Sequence, residues 1–302
     1  MPESPLAATP YEVLGVSPSA SADDLRHAYR RMLRAAHPDT GGSEAQFHAV
    51  QQAWERVGTP ASRAIYDRGH TVAEPTAASW VTQPPRPRRD SRPLARSSGH
   101  PGGWNREHYL GRLREWVGLG DAIDDPYDAA LVRSAPRDIR HLLADALAEE
   151  SSARSLSALG IAYTIWHDVQ TGVGKLDHIV LGPSGLFALL SEDWGAAVKV
   201  RRGELAGDAL DGDRPFHTLA SRAKSIEKPA RVRFTALVVV VPDDATEESS
   251  TPIGRVKGIP SILVQQSQLP ALMRTGLVGE PPIGGNELFD IRTRLQAVVR
   301  FV

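Results

Sequence analysis

The chain has 302 residues and not one cysteine. That excludes disulfides, thiol nucleophiles and cysteine-based zinc sites, and it suits a reducing compartment. An excess of charge of one sign is also missing. The formal net charge is -1, so no global field draws the chain to nucleic acid or anionic lipid. Long apolar runs are missing as well. The longest, Ala236 to Val241, is far short of the roughly 20 residues that span a bilayer, and it reads as a buried strand. Residues 1–10 show no basic start followed by an apolar stretch, so no secretory signal is expected. Neither a phosphate-binding G-x-x-x-x-G-K-[ST] loop nor a nucleophile-elbow serine occurs. Cytoplasmic location, with no membrane partner and no cofactor, is the resulting expectation. Arginine outnumbers lysine and alanine is abundant, as in proteins from GC-rich bacterial genomes.

What is present divides into four stretches. Residues 1–70 read as a compact helical unit. Tyr11-Glu12-Val13-Leu14 makes a short helix ended by Gly15, and Ser21-Ala22-Asp23-Asp24 matches the S-x-x-D capping pattern. The next helix carries Leu25, Ala28, Tyr29, Met32, Leu33 and Ala36 on one stripe. Arg26, Arg30 and Arg34 fall on another face, with His27 and Arg31 beside it. Pro38 ends the helix, because a residue before proline disfavours helical geometry. Phe47, Val50, Trp54 and Val57 mark a third helix, and 61–67 a short fourth. Residues 71–103, rich in proline, arginine, serine and glycine, read as a disordered or extended linker.

Residues 104–135 hold one helix, with Tyr109, Leu110, Leu113, Trp116 and Val117 at helical spacing. It reads either as a docking helix or as the start of the second domain. Residues 136–302 then run helix, strands, and alternating helices and strands. The helix opens at Pro136 and carries Ile139, Leu142, Leu143, Ala146 and Leu147 on one side. Strands are expected at 163–169, 176–181, 185–190, 198–205, 233–241 and 259–264, and helices at 216–226, 269–275 and 288–298. This is a mixed α/β domain.

Tyr11-Glu12-Val13-Leu14-Gly15, Ala28-Tyr29-Arg30, His37-Pro38-Asp39, Ala53-Trp54 and Arg63-Ala64-Ile65-Tyr66-Asp67 together resemble the J-domain of DnaJ-type co-chaperones. Trp54 stands where that family usually has tyrosine. The resemblance implies an all-α helical hairpin with flanking short helices. It also implies a DnaK-type ATPase as partner, with His37 and Asp39 stimulating ATP hydrolysis and Pro38 fixing the turn. The basic face of Arg26, Arg30, Arg31 and Arg34 would dock on an acidic surface of that ATPase. No glycine-phenylalanine-rich segment or Cys-rich zinc module follows, so a specialised co-chaperone is expected rather than a general one.

Leu176-Asp177-His178-Ile179-Val180-Leu181-Gly182-Pro183-Ser184-Gly185-Leu186-Phe187, preceded by Ile165-Trp166-His167-Asp168-Val169, resembles the nuclease-related NERD domain. That family is similar to restriction-endonuclease-like enzymes, which hold Mg²⁺ on carboxylates and use a lysine to activate water. The resemblance puts the metal aspartate at Asp177 and a helix glutamate at Glu149. The family's Glu-x-Lys falls on Leu190 and Glu192, so an apolar side chain replaces a ligand and an acid replaces the cation. Two readings stay open. Either Glu149, Asp177 and Glu192 are remnants of a lost active site, or Asp177 and Glu192 hold the metal while Lys175 or Lys199 supplies the cation. The first makes the protein a non-enzymatic co-chaperone whose second domain holds a client protein or nucleic acid. The second makes it a nuclease, and a nucleic-acid-binding adaptor is a third possibility.

Overall fold

The computed structural model describes residues 8–36, 44–69, 93–118 and 122–302. The tripeptide His37-Pro38-Asp39, residue 70 and residues 71–92 of the expected linker lie outside the described residues. In chain order the helices are α1 (Pro10–Leu14), α2 (Ala22–Ala36), α3 (Glu44–Val57) and α4 (Pro60–Gly69). After them come β1 (Arg96–Ser98), α5 (Gly103–Val117), α6 (Ala129–Ser134) and α7 (Arg137–Ser157). The remaining strands are β2 (Thr164–Thr171), β3 (Gly174–Gly182), β4 (Gly185–Ser191), β5 (Lys199–Arg201), β6 (Glu204–Ala206), β7 (Ala236–Val241), β8 (Ser250–Val256) and β9 (Ile259–Gln265). The last helices are α8 (Pro215–Ala230), α9 (Leu269–Thr275) and α10 (Gly285–Val298). The chain separates into two compact units. Residues 8–69 with 122–135 form one, and 93–118 with 136–302 form the other.

The first unit is built from local signals. Thr9 accepts a hydrogen bond from Glu12 N at 3.2 Å while Thr9 N donates to Glu12 Oε2 at 2.9 Å, which satisfies two orphan donors of α1. Gly15, at φ 65°, closes α1 in a conformation that glycine adopts without strain. Ser21 and Asp24 form the expected reciprocal cap on α2, at 3.2 and 3.3 Å. The apolar stripe of α2 packs with Tyr11, Leu14, Val50, Ala53, Val57 and Tyr66 into one core. Tyr29 stacks on Trp54 with ring centres 4.5 Å apart, so the tryptophan serves as a flat core partner. Arg63 of α4 ties the unit together. It donates to Ala20 O (2.8 Å), Pro18 O (2.5 Å) and Tyr11 Oη (3.1 Å), and Tyr11 Oη donates to Asp67 Oδ1 at 2.9 Å.

The second unit is a seven-stranded mixed sheet in the order β1-β2-β3-β4-β7-β9-β8, with a separate β5-β6 hairpin. Strands β2, β3 and β4 form an antiparallel meander, whereas β4, β7 and β9 are mutually parallel. The all-apolar β7 is buried along its whole length, as a central parallel strand must be. Helices cover both faces. Leu219 and Ala223 of α8 and Leu295 of α10 join one cluster with Ile179, Leu186 and Val239. Leu156 of α7 and Met273 of α9 join the other with Ile165, Val180, Phe187 and Val238.

Several expectations are corrected here. Residues 93–103 do not belong to a linker. Arg96–Ser98 pairs in parallel with Thr164–Trp166, and Arg96 N donates to Tyr163 O at 3.0 Å. Backbone hydrogen bonds and close approach hold this segment, not apolar burial, so composition hid it. A Cβ on Gly99 would lie 2.2 Å from His167 O, and one on Gly102 would lie 2.6 Å from Ala146 O. The helix at 104–135 is two helices. In α5, Tyr109 and Leu113 are fully buried, and the helix packs on α7, whereas α6 groups with the first unit. The strand expected at 198–205 is the β5-β6 hairpin. Strand β8 went unread because Pro252 and Gly254 sit in it, which suits an edge strand.

Candidate functional site

Two sets of residues converge on chemistry. The first is the basic face of α2. Arg26, Arg30, Arg31 and Arg34 are all exposed. Arg26 pairs with Asp23 at 2.9 Å, and Arg30 and Arg34 donate to the carbonyls of Arg26 and Arg30, each at 3.3 Å. These contacts draw the guanidinium stems along the helix while the charges stay in water. His27, Arg30, Arg31 and Arg34 line a shallow groove with Ala35.

The second set lies in the sheet unit, where α5, α7, β2, β3 and the end of β4 meet. Lys175 of β3 is at its centre. Its Nζ donates to Glu149 Oε1 at 2.7 Å and to Asp168 Oδ1 and Asp177 Oδ1 at 2.9 Å each. All four side chains are buried. Glu149 also accepts from Asn105 Nδ2 at 2.7 Å and Gly102 N at 3.2 Å. Asp168 accepts from Trp104 N at 3.2 Å, and Asp177 from Ser191 N at 2.8 Å. Asp168 sits at φ 49°, a left-handed backbone rare for a residue with a side chain.

The electrostatics follow from one ammonium facing three carboxylates. Burial disfavours the charged lysine, but Asp177, Glu149 and Asp168 outweigh it and hold the group above its ordinary range. Glu149 is pushed well up, first by burial and then by Asp177. Asp145, one turn earlier on α7, is also pushed well up, by burial and then by Glu192, Asp177 and Glu149. A cavity of about 500 Å³ opens beside the cluster, with Asp145, Lys175, Asp177, Glu192 and Arg222 in its wall.

Below this cluster lies a buried imidazole pair. His167 Nδ1 is 2.7 Å from His178 Nδ1, and His167 Nε2 is 2.7 Å from Ser97 Oγ. His178 Nε2 has no partner. An unpaired acceptor costs less than an unpaired N–H. The proton therefore belongs on His178 Nδ1, donated to His167, whose Nε2–H reaches Ser97. Burial depresses His167 to about 4 and His178 well below its ordinary value.

The sequence-predicted residues separate in this arrangement. Glu149 and Asp177 do come together, through Lys175 rather than directly. Asp177 is an in-strand side chain of β3. Leu190 is buried in the core, and Glu192 lies just past the end of β4. Glu192 reaches instead to within 3.7 Å of His141 on α7. Lys199 is excluded from the site. It is exposed on β5 and pairs with Glu247 at 3.3 Å. Asp168, Asp145, His141 and Asn105 went unread. His141 and Asp145, spaced one helical turn apart on α7, were the available signal.

The Mg²⁺ implied by the nuclease-like resemblance does not fit Glu149, Asp168 and Asp177. Mg²⁺ needs near-octahedral oxygens at about 2.0–2.1 Å. Here an ammonium already stands at hydrogen-bond distance from one oxygen of each carboxylate, and Leu190 presents no donor atom.

Comparison with known proteins accounts for the first unit. The DnaJ domain family model matches residues 9–67. Over 61 residues the chain is 51% identical to "Chaperone protein DnaJ 1" of Cutibacterium acnes, covering 20% of this chain and 16% of that protein. It is 48% identical over 61 residues to "Chaperone protein DnaJ" of Thermosynechococcus vestitus, covering 19% and 16%. It is 48% identical over 58 residues to "DnaJ protein homolog" of Cucumis sativus, covering 19% and 14%. Residues 9–67 are thus a J-domain, in agreement with the helical core and caps described above. The chain spans 14–16% of the length of these relatives.

Proposed function

We propose that the protein is a co-chaperone of a DnaK-type ATPase. Its J-domain stimulates ATP hydrolysis by that partner, and its sheet unit holds the client on which the chaperone acts. The match of residues 9–67 to the DnaJ domain carries the reading, because His37-Pro38-Asp39 falls inside it, between α2 and α3. The exposed arginines of α2 support it. A row of guanidinium groups on a helix face steers encounter with a carboxylate-rich surface and sets its salt dependence.

The sheet unit is read as a NERD-like, restriction-endonuclease-like domain without hydrolytic chemistry. Lys175 neutralises the carboxylates that would hold a catalytic metal, and Leu190 removes another ligand. The unit then serves as a platform for a protein or a nucleic acid, and tethering to the J-domain raises the chaperone's local concentration there.

The test measures steady-state ATP turnover of a DnaK-type chaperone with the full chain. His37→Gln and Asp39→Asn each abolish stimulation while the far-ultraviolet circular dichroism stays unchanged. Undiminished stimulation by either variant would overturn the reading. A magnesium-dependent cleavage assay on DNA and RNA, run beside Asp177→Ala, tests the second unit separately. Cleavage that disappears with Asp177→Ala would make it a nuclease.

A further inference from the structure

Beside the Lys175 cluster, a second group of side chains is arranged differently. His141 and Asp145 project from successive turns of α7, and Glu192 comes from the segment after β4. One ligand atom from each of the three lies within 4.8 Å of the other two. His141 Nε2 is 3.3 Å from Asp145 Oδ1 and 3.7 Å from Glu192 Oε2. Proximity of acids alone would mean little. The independent observation is that the atoms His141 Nε2 and Asp145 Oδ1 are both closed off from solvent and, although 3.3 Å apart, make no aligned hydrogen bond to each other or to any other group. Two orphaned, inward-facing donor atoms are costly unless something binds them.

We propose that His141, Asp145 and Glu192 bind one divalent transition-metal ion. The dimensions agree. Metal–nitrogen and metal–oxygen bonds of about 2.0–2.1 Å at tetrahedral angles put neighbouring ligand atoms roughly 3.3–3.4 Å apart. The 3.3 Å edge already meets that value, and the 3.7 Å edge needs only a small rotation of the Glu192 carboxylate. One imidazole with two carboxylates selects zinc or manganese over magnesium or calcium. Asp145 and Glu192 also line the cavity, so three protein ligands leave a coordination position open towards it.

This proposal does not depend on the co-chaperone reading. It is tested by titrating ZnCl₂ and MnCl₂ into the untagged full chain, with stoichiometry from equilibrium dialysis and affinity from calorimetry. The expected result is one ion per chain. His141→Ala and Glu192→Gln should each weaken binding at least as much as loss of a supporting contact does, about ten-fold or more. Thermal melting without metal checks that the variants are folded. Co²⁺ supplies a second readout, because its visible absorption reports nitrogen ligation and should vanish with His141→Ala but persist with Asp177→Asn. The proposal is overturned if the wild type binds no ion. It is overturned equally if Asp177→Asn abolishes binding while His141→Ala leaves it intact, which would place the ion among the Lys175 carboxylates.

Discussion

Lys175 Nζ lies 2.9 Å from Asp177 Oδ1, a contact between residues two apart on one strand. The same nitrogen reaches Glu149 on α7 and Asp168 on β2, so one ammonium pins three elements. Lys175→Met would leave three buried carboxylates without a counter-charge. The expected destabilisation of the sheet unit is about 3–5 kcal/mol at neutral pH, measured by urea denaturation. The deficit should shrink as the pH is lowered, because Glu149, whose carboxyl is already pushed up by burial, takes a proton more readily than an ordinary glutamate. A variant as stable as wild type at pH 7.5 would show that the ammonium is not the counter-ion.

The imidazole pair predicts a pH effect of known sign. His167 is held at about 4 against an ordinary 6.5. As the pH falls through that window, the unfolded chain takes up a proton that the folded chain refuses, and stability declines. The gap from 6.5 to about 4 sets the loss at about 3 kcal/mol. Asp145 and Glu149 work in the opposite direction, since burial raises them and their contribution is lost as pH rises. The comparison is therefore between wild type and His167→Asn. Melting temperatures from pH 7 to pH 4.5 should fall less steeply in the variant, and parallel profiles would refute the assignment.

In the J-domain, Arg63 of α4 is structural, unlike the exposed arginines of α2. It satisfies two loop carbonyls and the Tyr11 hydroxyl, and its guanidinium stands 5.5 Å from the Tyr11 ring centre. Arg63→Ala should cost about 2–3 kcal/mol. Arg30→Ala should leave the melting temperature unchanged and, on the co-chaperone proposal, weaken only salt-sensitive association with the proposed ATPase partner. Differential scanning calorimetry of both variants separates the two roles.

Gly102 connects β1 to the site. It lies at φ 72°, its N–H donates to Glu149, and a Cβ there would press on the backbone of α7. Gly102→Ala should cost about 2 kcal/mol or more, combining left-handed strain with the clash. Limited proteolysis gives a local readout, with faster cutting in residues 93–118 than in wild type. Equal cutting rates would mean that this segment docks independently of the glycine.

The J-domain was legible because its determinants are local. Capping boxes span four residues, and the apolar stripe of α2 follows one helical period. The buried strands β3, β4 and β7 announced themselves as apolar runs. By contrast, β1 is held by backbone hydrogen bonds in a glycine-rich stretch, and composition carries no trace of those. The site was half legible for a related reason. Asp177 stood inside a distinctive string, whereas Asp168 enters the cluster through a left-handed backbone that no strand alternation foretells. Lys175 was one of two candidate cations, and only tertiary packing distinguishes it from the exposed Lys199.

A counter-ion carried on a side chain has no dissociation equilibrium. No chelator strips it and no fluctuation in free metal empties the place it fills. The charge balance around Glu149, Asp168 and Asp177 is consequently fixed when the chain folds. Depletion of divalent ions would leave this particular counter-charge in place.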